Sequence, residues 1–222
     1  MIENLFPNVD WEKMWEATLE TLYMTGMSVL ITFVLGMILG ILLFLTSKEN
    51  LWDNKLTYTI TSAVVNVFRS IPFIILIVLL IPFTKFLLDT IRGANAALPA
   101  LIIGAAPFYA RMVEIALREV NKGVIEAAKA MGAKTSTIIW KVLIPESMPA
   151  LISGITVTAI ALVGYTAMAG VIGAGGLGNL AYLDGFQRSR EDVTIAATIM
   201  ILLIVFAIQI LGDFFTNKLD KR

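Results

Sequence analysis

From Thr21 to Ser47 no residue carries a charge, and this run decides the solvent in which the chain folds. A bilayer core of about 30 Å is crossed by about 20 helical residues, so the run supplies one tilted transmembrane helix. Gly93 to Ala110, Ala150 to about Val171 and Val193 to Gly212 are likewise free of charge. Between Lys55 and Lys85 the only charge is Arg69. That interval exceeds one straight span and holds Pro72 and Pro82, which predicts a break near Arg69-Ser70-Ile71-Pro72. Pro99 and Pro107 kink or bound the third run. The expectation is an all-α, polytopic membrane protein, one domain over residues 1–222, with five transmembrane helices near 21–47, 61–85, 94–114, 150–171 and 193–215. Composition agrees: 58% of residues are hydrophobic and the mean hydropathy is +0.83, against about half apolar in soluble domains.

Basic residues in short connections are retained on the cytoplasmic side. Ten lie on one side of the five spans: Lys48, Lys55, Arg118, Lys122, Lys129, Lys134, Lys141, Lys218, Lys221 and Arg222. Five lie on the other: Lys13, Lys85, Arg92, Arg188 and Arg190. This predicts an N-terminus outside and a C-terminus in the cytoplasm, as an odd number of spans requires. The first twenty residues carry Glu3, Asp10, Glu12, Glu16 and Glu20 against Lys13 alone, which is not the basic start of a secretory signal. The stretch before the first span reads as a short amphipathic segment. Trp11 and Trp15, four apart, suit a membrane interface or a free helical face equally.

Seventeen basic residues balance seventeen acidic ones, so no overall field attracts nucleic acid. Cysteine and histidine are absent, which removes disulfides, thiolate and imidazole metal sites and Cys/His hydrolase chemistry. The middles of the spans contain no Asp or Glu, and no inverted repeat is evident, which disfavours an ion-coupled secondary transporter. Arg111 and Glu114, three apart, suit a pair that satisfies itself on one helix face. Gly173-Ala174-Gly175-Gly176-Leu177-Gly178 fits G-x-G-x-x-G, but it follows a membrane span rather than a strand, so it reads as a turn or re-entrant connection. Gly36 and Gly40 form a G-x-x-x-G that either marks a close helix contact or arises by chance.

The one long polar break covers residues 118–147. Within it Val124, Ile125, Ala128 and Met131 recur at helical spacing while Lys122, Glu126 and Lys129 point elsewhere, which predicts an amphipathic helix. Asn121 is its expected N-cap and Gly132 its left-handed terminator. Thr135-Ser136-Thr137 is expected to cap a second helix ending at Pro145.

Glu126-Ala127-Ala128, three residues, Gly132, nine residues and Val142-Leu143-Ile144-Pro145 resemble the EAA signature of permease subunits of binding-protein-dependent ABC importers. Valine and isoleucine stand where the pattern has isoleucine and leucine. Phe68-Arg69-Ser70-Ile71-Pro72-Phe73, Gly104 to Arg111 and Gly164-Tyr165-Thr166-Ala167-Met168-Ala169-Gly170 look like the methionine-importer permease subfamily. The resemblance implies a type I ABC importer permease fold in the bacterial cell membrane, without catalysis or cofactor on this chain. It implies a homodimer in lipid, two copies of a cytoplasmic ATPase that bind ATP and Mg, and an extracytoplasmic substrate-binding protein. It further implies that Glu126, Ala127, Ala128, Lys129, Met131 and Gly132 couple to the ATPase, with D- or L-methionine as substrate and another amino acid or a small peptide as the alternative. Met168 and Tyr165, between Gly164 and Gly170, are the candidate gate, and Arg69 the candidate charge beside the translocation path.

Overall fold

The computed structural model describes residues 6–219. Helix α1, Trp11–Thr46, has 36 residues and is about 54 Å long at 1.5 Å per residue. It overshoots the bilayer core, and Trp11 and Trp15 ride on its first turns; the amphipathic stretch expected before the span is therefore continuous with it. Asp10 caps its N-terminus by accepting from the backbone N–H groups of Glu12 and Lys13.

The second crossing is broken. Helix α2, Lys55–Ser70, meets α3, Phe73–Leu79, at 104°. Pro72 lacks the N–H that would continue the ladder, and it holds Ile71 in extended backbone at φ −80°, ψ 122°. Helix α4, Ile81–Leu88, follows with Pro82 in its first turn. Residues 61–85 are thus three pieces, not one helix. Helix α5, Ala94–Arg118, passes through both Pro99 and Pro107 without ending.

Helix α6, Lys122–Ala130, fills the polar break. Helix α7, Thr135–Ile138, runs through a π-helical turn at Ile139–Leu143 straight into α8, Ile144–Ala169. Two expectations fail here. No side chain caps α7, and Pro145 does not stop the helix, because it falls in the first turn of α8 where its missing N–H costs least. Beyond α8 a tight reversal leads to α9, Gly176–Asn179, a second π-helical stretch at Leu180–Phe186, and α10, Glu191–Leu219.

Helices α1, α5, α7 with α8, and α10 are each long and apolar enough to cross a membrane, and the bent α2–α3 pair would make a fifth crossing. The α1–α5 pairing is the most extensive, and Gly36 and Gly40 set its distance. A Cβ on Gly36 would stand 2.6 Å from Tyr109 Cδ1, and one on Gly40 2.6 Å from the Ala110 carbonyl oxygen. The G-x-x-x-G is a true close contact. The core forms three clusters along the bundle: one around Phe44, Val113 and Leu143 at the end carrying α6, one around Met24, Leu101 and Leu162, and one around Met14, Leu177 and Ala197 at the end carrying the N-terminus. Large apolar side chains on α1 and α10 face outward, as lipid requires.

Candidate functional site

Helix α6 starts where Asn121 Oδ1 accepts from Gly123 N at 2.8 Å. Ile125 and Ala128 are buried and pack into the cluster holding Leu117, Ile138 and Leu143. Val124, Glu126, Ala127, Lys129 and Met131 point to solvent, Met131 with 82% of its surface exposed. The four apolar positions therefore do not share one buried face. Two anchor the helix to its own chain, and two present apolar surface outward. Gly132 ends the helix at φ +76°, the left-handed region that favours glycine, and its N–H bonds to the Lys129 carbonyl at 2.9 Å. No atom within 4 Å would obstruct a Cβ there, so the demand is conformational, not steric. Trp140, on the π-helical turn that packs against α6, is 69% exposed. Sequence reasoning passed over it; a tryptophan in a polar break was its only signal.

At the same end of α5, Glu114 is buried, with 2% of its side chain exposed. Its oxygens accept from Arg111 and, at 2.7 Å and 3.2 Å, from two nitrogens of Arg118, and Tyr58 on α2 is a third donor at 3.2 Å. Arg111 also donates to Ser62 at 3.0 Å and to Asn66 at 2.8 Å. The Arg111–Glu114 pair read from the spacing is present, and it extends across two helices to tie α2 to α5. Removing the carboxylate would leave the partly buried Arg111 with Ser62 and Asn66 alone and would release the half-exposed Arg118 to solvent.

At the α2–α3 break, the Arg69 guanidinium lies over the Phe108 ring, 5.8 Å from its centroid. Tyr165 of α8 stacks on Phe73 of α3 with centroids 4.4 Å apart and planes 4° from parallel. These four residues, with Phe68, Ile71 and Gly104, line a cavity of about 40 Å³. Arg69 and Tyr165 thus come together. Met168, three residues on, is 44% exposed and does not line that cavity. The flanking glycines differ: nothing lies within 4 Å of a Cβ on Gly164, whereas one on Gly170 would stand 2.9 Å from the Gly175 carbonyl oxygen. Close approach is realised at Gly170 and left open at Gly164.

The Gly173–Gly178 stretch is a reversal. Gly173, Gly175 and Gly176 have φ of +100°, +85° and +76°, and Glu20 Oε2 accepts from Gly176 N at 2.6 Å while Thr21 Oγ1 accepts from Leu177 N at 2.9 Å. A helix precedes it, so it lacks the strand a dinucleotide site needs. Among the described residues no group of three or more Asp and Glu is placed to hold a metal ion.

The family of binding-protein-dependent transport system inner membrane components matches residues 32–222. The chain is 71% identical over 222 residues, all of both chains, to the methionine import system permease protein MetP of Bacillus subtilis. It is 45% identical over 212 residues, 96% of this chain and 98% of the other, to the probable D-methionine transport system permease protein MetI of Pasteurella multocida. A solved structure of inward facing conformations of the MetNI methionine ABC transporter superposes with a TM-score of 0.93 at 43% identity, over 96% of this chain and 100% of that one. An amino acid ABC transporter crystallised with histidines, 20% identical with a TM-score of 0.73 over 95% and 99% of the two chains, shares the fold. The helices described above therefore form a type I ABC importer permease fold, and the chain belongs to the family of binding-protein-dependent transport system inner membrane components.

Proposed function

We propose that this chain is the membrane-spanning subunit of an ATP-driven importer of methionine, in D or L form. The substrate assignment is supported by relatives named as methionine permeases along the full length. The geometry that carries the transport role is α6, anchored by Ile125 and Ala128 and turning Val124, Ala127 and Met131 outward. Such a helix suits docking in a groove of a separate ATPase, with Glu126 and Lys129 at the rim and Gly132 making the turn behind it. Two ATPase copies, which bind ATP and Mg, close on ATP and draw the cytoplasmic loops of two permease copies together. The anchored α6 passes that motion to α5 and α8, and the pathway alternates between inward-open and outward-open.

No bond chemistry falls to this chain. In this arrangement the permease is a homodimer in the bacterial cell membrane, its N-terminus outside beside an extracytoplasmic binding protein and its C-terminus in the cytoplasm. The whole of residues 1–222 acts as one transmembrane domain, with residues 118–147 as the coupling loop. Met168 and Tyr165 narrow the pathway from α8, and Arg69 stands beside it.

Uptake of radiolabelled methionine into cells deleted for the gene, with and without the gene restored, tests the substrate. Restored uptake that only methionine-like compounds compete away is expected. Rescue of a different amino acid or a small peptide would keep the permease and remove methionine.

A further inference from the structure

Arg69, unlike Arg111 and Arg118, has no acid beside it among the described residues. Arg111 is engaged by Glu114, Ser62 and Asn66, and Arg118 by Glu114. Arg69 has no ion pair and no side-chain hydrogen bond among the described residues; it is exposed in the single copy and lies over the Phe108 ring. A guanidinium inside a span is costly in hydrocarbon and is retained where it faces protein or an aqueous pathway. Arg69 meets that condition by closing α2 at the 104° break, where irregular backbone is tolerated only against protein or water. Its depth follows from α5, because Phe108 and Gly104 lie near the middle of that helix.

The cavity walls set the ligand. One cation, the Tyr165 ring and hydroxyl, and the rings of Phe68, Phe73 and Phe108 surround it, with no carboxylate among the lining residues. A planar guanidinium in that setting matches a carboxylate, which it grips by paired, charge-assisted hydrogen bonds. Size sets how much of the ligand enters. The volume of about 40 Å³ is far below the roughly 300 Å³ at which pockets begin to enclose a whole small ligand, so the cavity takes the carboxylate end of an amino acid and not the whole molecule.

We infer that Arg69 and its aromatic cavity form a transit site for the α-carboxylate of an amino acid crossing the permease, with the amino acid's side chain left outside. This rests on the import reading above. The site is blind to side chain and to α-carbon configuration, so it conducts without selecting.

The chain has no cysteine, so an introduced thiol reports the cavity alone. Ile71 lines it, and I71C keeps Arg69 and every ring. The I71C permease, assembled with its ATPase in proteoliposomes, is alkylated by a maleimide and followed by the mass of the permease. Methionine at about nine times its half-protecting concentration should slow alkylation about tenfold, as occupancy of the site requires. The amide of methionine should leave it unchanged, and R69Q in the same background should abolish protection while R69K keeps part of it. Retained ATPase activity in R69Q shows that the complex is folded. Equal protection by the amide, protection surviving R69Q, or no protection in a complex that imports methionine would each overturn the inference alone. If the native chain imports no methionine, the import reading falls and this inference with it.

Discussion

A glycine in the left-handed region is the smallest element on which the proposed coupling rests. Gly132 sits at φ +76° with open space around it, so what a side chain would disturb is the turn and not the packing. For a residue with a Cβ the left-handed region costs about 1 to 2 kcal/mol, and β-branching adds to that. Gly132→Val is expected to insert and to reach native levels in the membrane fraction, yet to lose methionine uptake and substrate-stimulated ATP hydrolysis together, because α6 leaves its angle to the bundle. Native uptake by that variant would remove the coupling role. Gly132 was readable from its place at the end of an amphipathic segment, and Asn121 from its place at the start. The Glu114 network was readable only in part. Arg111 at three residues announces itself, and Arg118 at four is as visible. Tyr58 is 56 residues away and reaches Glu114 only because α2 packs on α5.

At the scale of elements, α1 and α5 show how small residues replace the hydrophobic drive that lipid does not supply. Three glycines of α1 separate the causes. Cβ positions on Gly36 and Gly40 run into Tyr109, Ala110 and Val113, while Gly26 has nothing within 4 Å. Gly40→Ala should therefore force the helices apart, at a cost of about 1 to 3 kcal/mol for overpacking. Gly26→Ala should be neutral or slightly stabilising, since alanine is the better helix former. Thermal unfolding of the two purified variants in detergent checks the pair, with a lowered midpoint expected only for Gly40→Ala. Equal midpoints would mean that the α1–α5 distance is not set by these glycines. The break in the second crossing was legible because Pro72 and Arg69 stand together. The passage of α7 into α8 was not, because the π-helical turn at Ile139–Leu143 slips the hydrogen-bond register just before Pro145, and no residue type marks such a turn.

For the whole molecule, one chain presents surfaces that a single copy leaves open, and α8 carries the clearest. Gly164 meets nothing within 4 Å, and Met168 one turn on is half-exposed, whereas Gly170 is packed against the Gly175–Asn179 reversal. A glycine that no neighbour approaches, beside an unbranched and adaptable side chain, suits contact with a second copy across a two-fold axis. Two Met168 side chains facing each other there would close the path by bulk alone, without a charge to desolvate. Met168→Ala removes that bulk from both copies and leaves α6 untouched. The expected outcome in proteoliposomes is methionine leak without ATP, with substrate-stimulated ATP hydrolysis retained but fewer methionines moved per ATP. Met168→Leu, which conserves volume, should restore the seal. Native leak and coupling in the alanine variant would place Met168 in packing only, and would move the constriction to the stacked Tyr165 and Phe73, where Tyr165→Ala becomes the variant that leaks.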